Sequence, residues 1–228
     1  MRYYDIHTHS QSGNPDDVAI VNTIVIPVGV ESAPLETEYP LLKEQYLYRW
    51  ASVGIHPWYI YNVREQITEL ESLALAPNIV AIGECGLDKL AATPLEVQRF
   101  IFKSLALFAE KLRIPLLIHC VKAWSELIEI RKEIKPAVPW IIHGFRGNGE
   151  FAKQLLRQGF YLSFGVYYNL DAVRAAWPDC LFAETDDKEV DIHSVYDCLA
   201  GTLSLSPELF ALQIEKNVQR VFPSITVE

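Results

Sequence analysis

The sequence predicts an α/β protein, a (β/α)8 barrel of the TIM type with reduced early helices. Three observations carry that expectation. Short apolar, β-rich runs alternate along the chain with longer segments of helical period. Several of the runs are apolar on both faces, as the strands of a buried parallel sheet are. Histidines and carboxylates stand where these runs end, and a parallel barrel gathers its strand ends at one mouth. A doubly wound open sheet shares the alternation, and pattern alone does not close a barrel.

The strand candidates, in order, are YYDIH, NTIVIPVG, WASVGIH, NIVAIGE, IPLLIHC, VPWIIH, FYLSFG and CLFAETD. Only SQSGNPDDVAIV separates the first two, too little for a full helix. The second connection, VESAPLETEYPLLKEQYLY, holds two prolines and suits one short helix. Asn62 and Asn169 are placed to cap the helices after the third and seventh strands. Thr93, Pro94 and Glu96 read as a capping box with proline at the first helical position, opening a helix through LEVQRFIFKSLALFAEKL. GEFAKQLLRQG should stop at Gly159, and Ser206 with Pro207 should open ELFALQIEKNVQRVF.

The chain has 228 residues, half of them hydrophobic, enough for a large core. With no linker, low-complexity segment or clear repeat, residues 1–228 are assigned to a single domain. Mean hydropathy is +0.10, and no apolar run approaches a membrane span. The opening MRYYDIHTHS turns polar at once, unlike an export signal. Cys85, Cys120, Cys180 and Cys198 are widely scattered, which reads as reduced thiols in a cytoplasmic protein. A net charge of −9 argues against a broad basic groove along nucleic acid, though not against a small phosphate-bearing substrate.

Five of the six histidines fall at predicted strand ends. His7 and His9 close the first strand, where alternation puts Asp5, His7 and His9 on one side. His56 follows the third strand, Glu84 and Asp88 the fourth, His119 the fifth, His143 the sixth, and Glu184 and Asp186 the eighth. His193, in a polar helical stretch, reads as a solvated surface residue. Imidazole nitrogen and carboxylate oxygen together suit zinc, manganese, iron or, with more waters, magnesium. His7, His9, His119, His143, Glu84 and Asp186 exceed the needs of one tetrahedral ion, whereas two ions sharing a carboxylate would use them all. A carboxylate such as Glu84 after IVAIG is costly to bury unless paired or bound to a cation. His56 is grouped with the substrate contacts, with ligand and packing roles open. Asp186 has helix capping as its plain alternative. Arg146, Lys122 and Lys89 lie just beyond strand ends and are candidates to bind phosphate, with a solvated loop charge as the plain alternative for each. Trp58 and Trp124 are placed either to stack on a base or to cover the core.

The motifs DIHTH, GIHPW, GECGLD, IPLLIH, HGFRGN and ETD, in that order, resemble those of the TatD-like metal-dependent hydrolases of the amidohydrolase superfamily. The tail IEKNVQRVF, with Asn217 and Phe222, is similar to that family's closing helix. The resemblance implies a (β/α)8-type barrel with one to three divalent cations, and two (Zn, Mg or Mn) are expected in this chain. It also implies phosphodiester hydrolysis, commonly deoxyribonuclease action from DNA ends. His7, His9 and Asp186 would bind one ion, His119 and His143 the other, and Glu84 both. A metal-activated water would attack phosphorus, with Asp186 accepting its proton. Three stretches depart from the family pattern. ETDDKEVDI replaces the usual Ser-Pro continuation, HCVKAW lacks the usual Arg-Asp-Ala, and Lys89 stands where an aromatic usually follows GLD. The same residues leave open hydrolysis of a lactone, amide or carboxyl ester, or a non-catalytic metal-binding scaffold. Another histidine-rich barrel family of phosphoesterases also opens with His-x-His. It needs further His and Asp ligands late in the chain, where only His193 follows Asp186.

Overall fold

The computed structural model describes residues 1–10, 13–25 and 48–226. Eight parallel strands hydrogen-bond in chain order, β1 (Tyr4–Thr8), β2 (Val18–Ile24), β3 (Trp50–Gly54), β4 (Ile79–Asp88), β5 (Leu116–Val121), β6 (Trp140–Ile142), β7 (Phe160–Phe164) and β8 (Leu181–Ala183). Helices alternate with the later strands: α1 (Val63–Leu73), α2 (Leu95–Leu112), α3 (Trp124–Ile134), α4 (Gly149–Arg157) and α5 (Leu170–Ala176). After β8 come α6 (Ile192–Thr202) and α7 (Pro207–Val221). This is the expected barrel class. No described residue between β1 and β2 is helical, so the first helix is missing as expected. The expected short helix of the second connection lies outside the described residues.

The chain divides into two compact units, residues 1–21 with 141–228, and residues 22–140. In the first, β1 pairs with β2 from Tyr4↔Val18 to Thr8↔Val21, and β7 pairs with β8 from Leu162↔Leu181 to Phe164↔Ala183. A parallel bridge, Thr8↔Asp186, joins the end of β1 to the residues after β8. The side chains of Ile6, Phe164, Phe182, Phe210 and Phe222 fill this unit's interior. Trp177 stacks on Phe210 at 5.5 Å between ring centroids. In the second unit, β3 pairs with β4 and β4 with β5. Leu116, Leu117 and Ile118 are all fully buried, as a strand covered on both faces requires. Phe102 of α2 meets Trp140 edge-on at 5.3 Å.

The helix ends follow local chemistry. Asn62 and Asn169 cap α1 and α5, and Ser206 accepts from the Leu209 N–H with Pro207 in the first turn of α7. Gly159, with φ of 84°, follows the last turn of α4 and donates its N–H to the Leu156 carbonyl. The capping box at Thr93 does not form. Pro94 itself takes the cap position, its ψ of 138° is extended, and no side chain caps the helix. The helix therefore begins at Leu95, one residue later than a cap at Thr93 would place it. The Thr93 carbonyl accepts instead from the Gln98 amide at 2.7 Å. Asp191, not Asp186, caps α6. His193 is more than a solvated residue: its ring stacks on Tyr3 at 3.8 Å, and its Nε2 lies 2.9 Å from Asp17 Oδ2.

Asn217 fastens α7 to the sheet of the first unit. Its buried amide donates to the carbonyls of Pro178 at 2.8 Å and Leu181 at 3.0 Å. Asn217→Ala leaves two carbonyls without these donors and should lower the unfolding free energy by about 2–4 kcal/mol, read from urea denaturation followed by circular dichroism. An unchanged midpoint would mean that α7 is held by its apolar face alone.

Candidate metal centre

Chemistry-bearing side chains gather in each unit where strands end. In the first unit, β1 delivers His7 and the residue after it is His9, and the segment after β8 delivers Glu184 and Asp186. Backbone pairing sets their spacing. The Asp186 N–H donates to the His7 carbonyl at 2.9 Å, and the His9 N–H donates to the Asp186 carbonyl at 3.1 Å. Asp186 adopts φ of 57°, a left-handed conformation that aspartate tolerates better than most residues. Its Oδ1 lies 3.6 Å from Nε2 of both His7 and His9. The two imidazoles thus converge on one carboxylate, as the alternation of DIHTH predicts.

That spacing is informative. Two ligands of one tetrahedral cation, each bound at 2.0–2.2 Å, stand about 3.4 Å apart, a little beyond hydrogen-bond length. His143, following β6, extends the cluster. Its ring lies 4.3 Å from that of His7, and its Nδ1 is 3.6 Å from Glu184 Oε1. Ligand atoms of His7, His9 and Asp186 lie within 4.8 Å of one another, as do those of His143, Glu184 and Asp186. Glu184 is fully buried. Its Oε1 accepts from the Gly144 N–H, while Oε2 has no hydrogen-bond partner. A buried carboxylate oxygen without a donor is costly, and a cation beside it removes the cost. The residues present therefore fit a divalent ion.

A further carboxylate supports this cluster from below. Asp5 Oδ2 accepts from the Thr185 hydroxyl at 2.6 Å, and its Oδ1 accepts from the Thr185 N–H at 3.1 Å and the His7 N–H at 3.3 Å. Burial pushes the Asp5 carboxyl up to about 7 against the pull of the Thr185 hydrogen bonds, with the Glu184 charge adding to the rise. Asp5 so ties the backbone of His7 to the residue between Glu184 and Asp186.

In the second unit, the ten-residue strand β4 carries the acid. Its register with β5 slips between Ile82 and Cys85, so three steps on β4 oppose two on β5. Such a bulge re-aims a side chain, here Glu84. Glycine makes the close approach possible: a Cβ at Gly86, where φ is 154°, would stand 1.9 Å from the His119 carbonyl oxygen. Glu84 Oε1 lies 2.8 Å from His119 Nδ1 and 3.3 Å from His56 Nε2, and the two rings are 4.4 Å apart. Asn22 of β2 holds the acid from behind. Its amide donates to Glu84 Oε2 at 3.1 Å, and its carbonyl accepts the Glu84 N–H at 2.8 Å. Asp88, four residues on, lies 3.2 Å from His119 Nε2 and accepts from Trp58 Nε1 at 2.6 Å and the Leu90 N–H at 2.7 Å. Burial would raise the Asp88 carboxyl, but its bonds from His119, Leu90 and Trp58 hold it below the usual range.

His56, grouped at first with substrate contacts, stands among these ligand-type atoms. Lys122 is exposed beyond β5 with φ of 56°, and Arg146 is exposed beyond β6 with its guanidinium 5.4 Å over the Tyr167 ring. Lys89 is paired with Glu126 at 2.6 Å, and its ammonium holds that carboxyl down at about 2. Trp58 is 55% exposed, while Trp124 opens α3 half-buried. Sequence reasoning noted Asp88 and Glu184 at strand ends but gave them no role. Asn22 carried no signal, because one asparagine inside an apolar strand looks like any other.

Comparison with known proteins follows the same lines. The model of the family described as TatD related DNase matches residues 4–223. A Bacillus subtilis (strain 168) protein described as the uncharacterized metal-dependent hydrolase YabD is 31% identical over 144 residues, 62% of this chain and 56% of its own length. A protein of Yersinia pseudotuberculosis serotype O:3 (strain YPIII) described as 3'-5' ssDNA/RNA exonuclease TatD is 32% identical over 142 residues, 58% of this chain and 49% of its own length. The match thus spans about half the length of these two relatives. Among solved structures, the TatD homologue YJJV of Escherichia coli K12 superposes with a TM-score of 0.74 at 19% identity, over 97% of this chain and 98% of that one.

Thr185→Val keeps the side-chain shape and removes the hydroxyl that Asp5 holds. The unfolding free energy should fall by about 1.5–3 kcal/mol, the range for a hydrogen bond to an ionisable group. A urea curve superposing on that of the parent protein would contradict the role given to Asp5.

Proposed function

The chain belongs to the TatD related DNase family, and from that premise we propose that it is a divalent-metal-dependent hydrolase of phosphodiester bonds, with DNA ends as its substrate class. The observation that carries the reading is the spacing of His7, His9 and Asp186 as ligands around one cation. Support also comes from the relatives described as a metal-dependent hydrolase and as a 3'-5' ssDNA/RNA exonuclease.

His7, His9 and Asp186, with His143 and Glu184, are assigned to one ion, and Glu84, His119 and His56 to a second. Imidazole-rich sets of this kind suit zinc or manganese, and their carboxylates also suit magnesium. When bound, such ions draw charge from phosphoryl oxygens and lower the pKa of water towards about 7. The protein's own groups do the rest. Asp186, placed at the same point as both imidazoles of β1, accepts a proton from the attacking water and returns one to the leaving oxygen. Arg146 in the first unit and Lys122 in the second are exposed cations just past strand ends, each a candidate to offset phosphate charge. Asn22 and Asp88 keep Glu84 and His119 in place by the hydrogen bonds described above.

The whole chain is taken as one catalytic domain acting in the cytoplasm. The four cysteines are free thiols, and no helix among the described residues is long and apolar enough to cross a membrane.

Glu84→Ala and His143→Ala should each lower hydrolysis of bis-p-nitrophenyl phosphate by roughly a hundredfold or more while the protein stays folded. Metal content measured on the same preparations should fall; full activity with unchanged metal would remove both residues from the ligand set. Chelator-treated protein should lose activity and regain it with zinc, manganese or magnesium. Hydrolysis that survives complete metal removal would defeat the proposal, and turnover of lactones or carboxyl esters alone would redirect it to another bond.

A further inference from the structure

In the second unit, the indole of Trp58 reaches the buried carboxylate that faces His119. We propose that Trp58 is a positioning residue for His119, acting through Asp88 on metal binding rather than on the substrate. The inference rests on the metal-dependent reading and goes beyond it by giving an exposed aromatic side chain a part in holding an ion.

The argument begins with exposure. Trp58 is 55% exposed, so most of its ring covers no core. What fixes the ring is polar. Its Nε1–H donates to Asp88 Oδ2 at 2.6 Å, at the short end for an N–H donor, as bonds to an ionised oxygen are. Water reaches one edge of the indole, while the other edge ends on an acid that water does not reach.

Asp88 is also held elsewhere. Its backbone N–H donates to Gln98 Oε1 at 2.7 Å, and its carbonyl accepts from the Gln98 amide at 2.9 Å. Its Oδ1 accepts from the Leu90 N–H at 2.7 Å. These bonds place the backbone and one carboxylate oxygen, and none of them ends on Oδ2. That oxygen lies 3.2 Å from His119 Nε2, a longer approach than the one from Trp58. The indole is therefore the donor that sets where Oδ2 stands relative to the imidazole.

The position of Oδ2 matters because His119 has a carboxylate at each nitrogen. Nε2 faces Asp88, and Nδ1 lies 2.8 Å from Glu84 Oε1. A neutral imidazole carries one N–H and one lone pair, so one proton cannot serve both acids. With that proton on Nε2 and directed at Asp88, Nδ1 keeps its lone pair towards Glu84 and the ligand set to which both belong. A carboxylate in this place fixes the tautomer and ring orientation of a ligand histidine, and its loss weakens metal binding about 10–100-fold. Trp58 stands one bond further out, so its effect belongs at the lower end of that range.

The test is a zinc titration against a chelating dye, run on the parent protein, Trp58→Phe, Asp88→Ala and the double variant. Trp58→Phe keeps an aromatic ring and removes the N–H. It should weaken one zinc-binding step by about tenfold and leave the other, assigned to the first unit, unchanged. In the Asp88→Ala background the same substitution should change nothing; if that background does not fold, Asp88→Asn replaces it. Zinc binding identical to the parent, equal weakening of both steps, or a further loss on top of the Asp88 variant overturns the proposal. Hydrolysis of a dithymidine dinucleotide by Trp58→Phe should fall at limiting zinc and return in excess zinc with an unchanged KM. A KM that stays raised in excess zinc makes Trp58 a base contact and also overturns it. A parent protein that binds no zinc removes the metal reading, and this inference with it. Zinc binding with the expected variant effects but no phosphodiester hydrolysis leaves the role of Trp58 standing and removes the phosphodiesterase reading alone.

Discussion

Among the described residues, four carboxylates are buried, Asp5, Glu84, Asp88 and Glu184, and a charge kept from water costs several kcal/mol unless a donor or a cation answers it. Much of the local architecture around the strand ends serves that requirement. Asn22 gives Glu84 an amide, Trp58 and Leu90 give Asp88 two N–H groups, and Thr185 gives Asp5 both a hydroxyl and an N–H. Glu184 receives one N–H and keeps one oxygen without a donor. The fold thus satisfies Asp5 and Asp88 largely with its own atoms, holds Glu84 by one oxygen while the other faces His119 and His56, and leaves Glu184 with an oxygen suited to a positive ion.

This division explains which parts of the protein were legible in the sequence. Strands such as IPLLIHC were readable because burial on both faces leaves an unbroken apolar run. The caps at Asn62, Asn169 and Ser206 were readable because the donors lie within three residues of the acceptor. The ligand candidates showed through because histidine is scarce and fell where strands end. What stayed hidden is long-range or a matter of backbone register. The β4 bulge changes which way Glu84 points, and no residue type announces it. The bond from Asn22 to Glu84 spans sixty-two residues. At Thr93 the motif was present, yet an extended ψ at Pro94 took the helix start away from it.

The residues matching the family's histidine and acid motifs sit in ligand-type surroundings within their own units. The three departures fall elsewhere. Lys89 is tied to Glu126 of α3, and Lys122 stands free of the strand in a left-handed turn. Lys188 lines a small cleft with Arg146, Tyr167 and Asp186. Each departure carries a cation, Lys89 and Lys122 directly after β4 and β5 and Lys188 in the segment that follows β8.

The indole of Trp58 adds an optical property to this arrangement. Its N–H is bound to Asp88, Asp88 touches His119, and most of its ring remains open to solvent. Indole emission shifts in colour and intensity with the field at the ring and with proton or charge movement nearby. Anything that draws electron density from His119 alters the charge Asp88 presents to that fluorophore. Trp58 thus connects the solvent-exposed face of the second unit to His119 through Asp88.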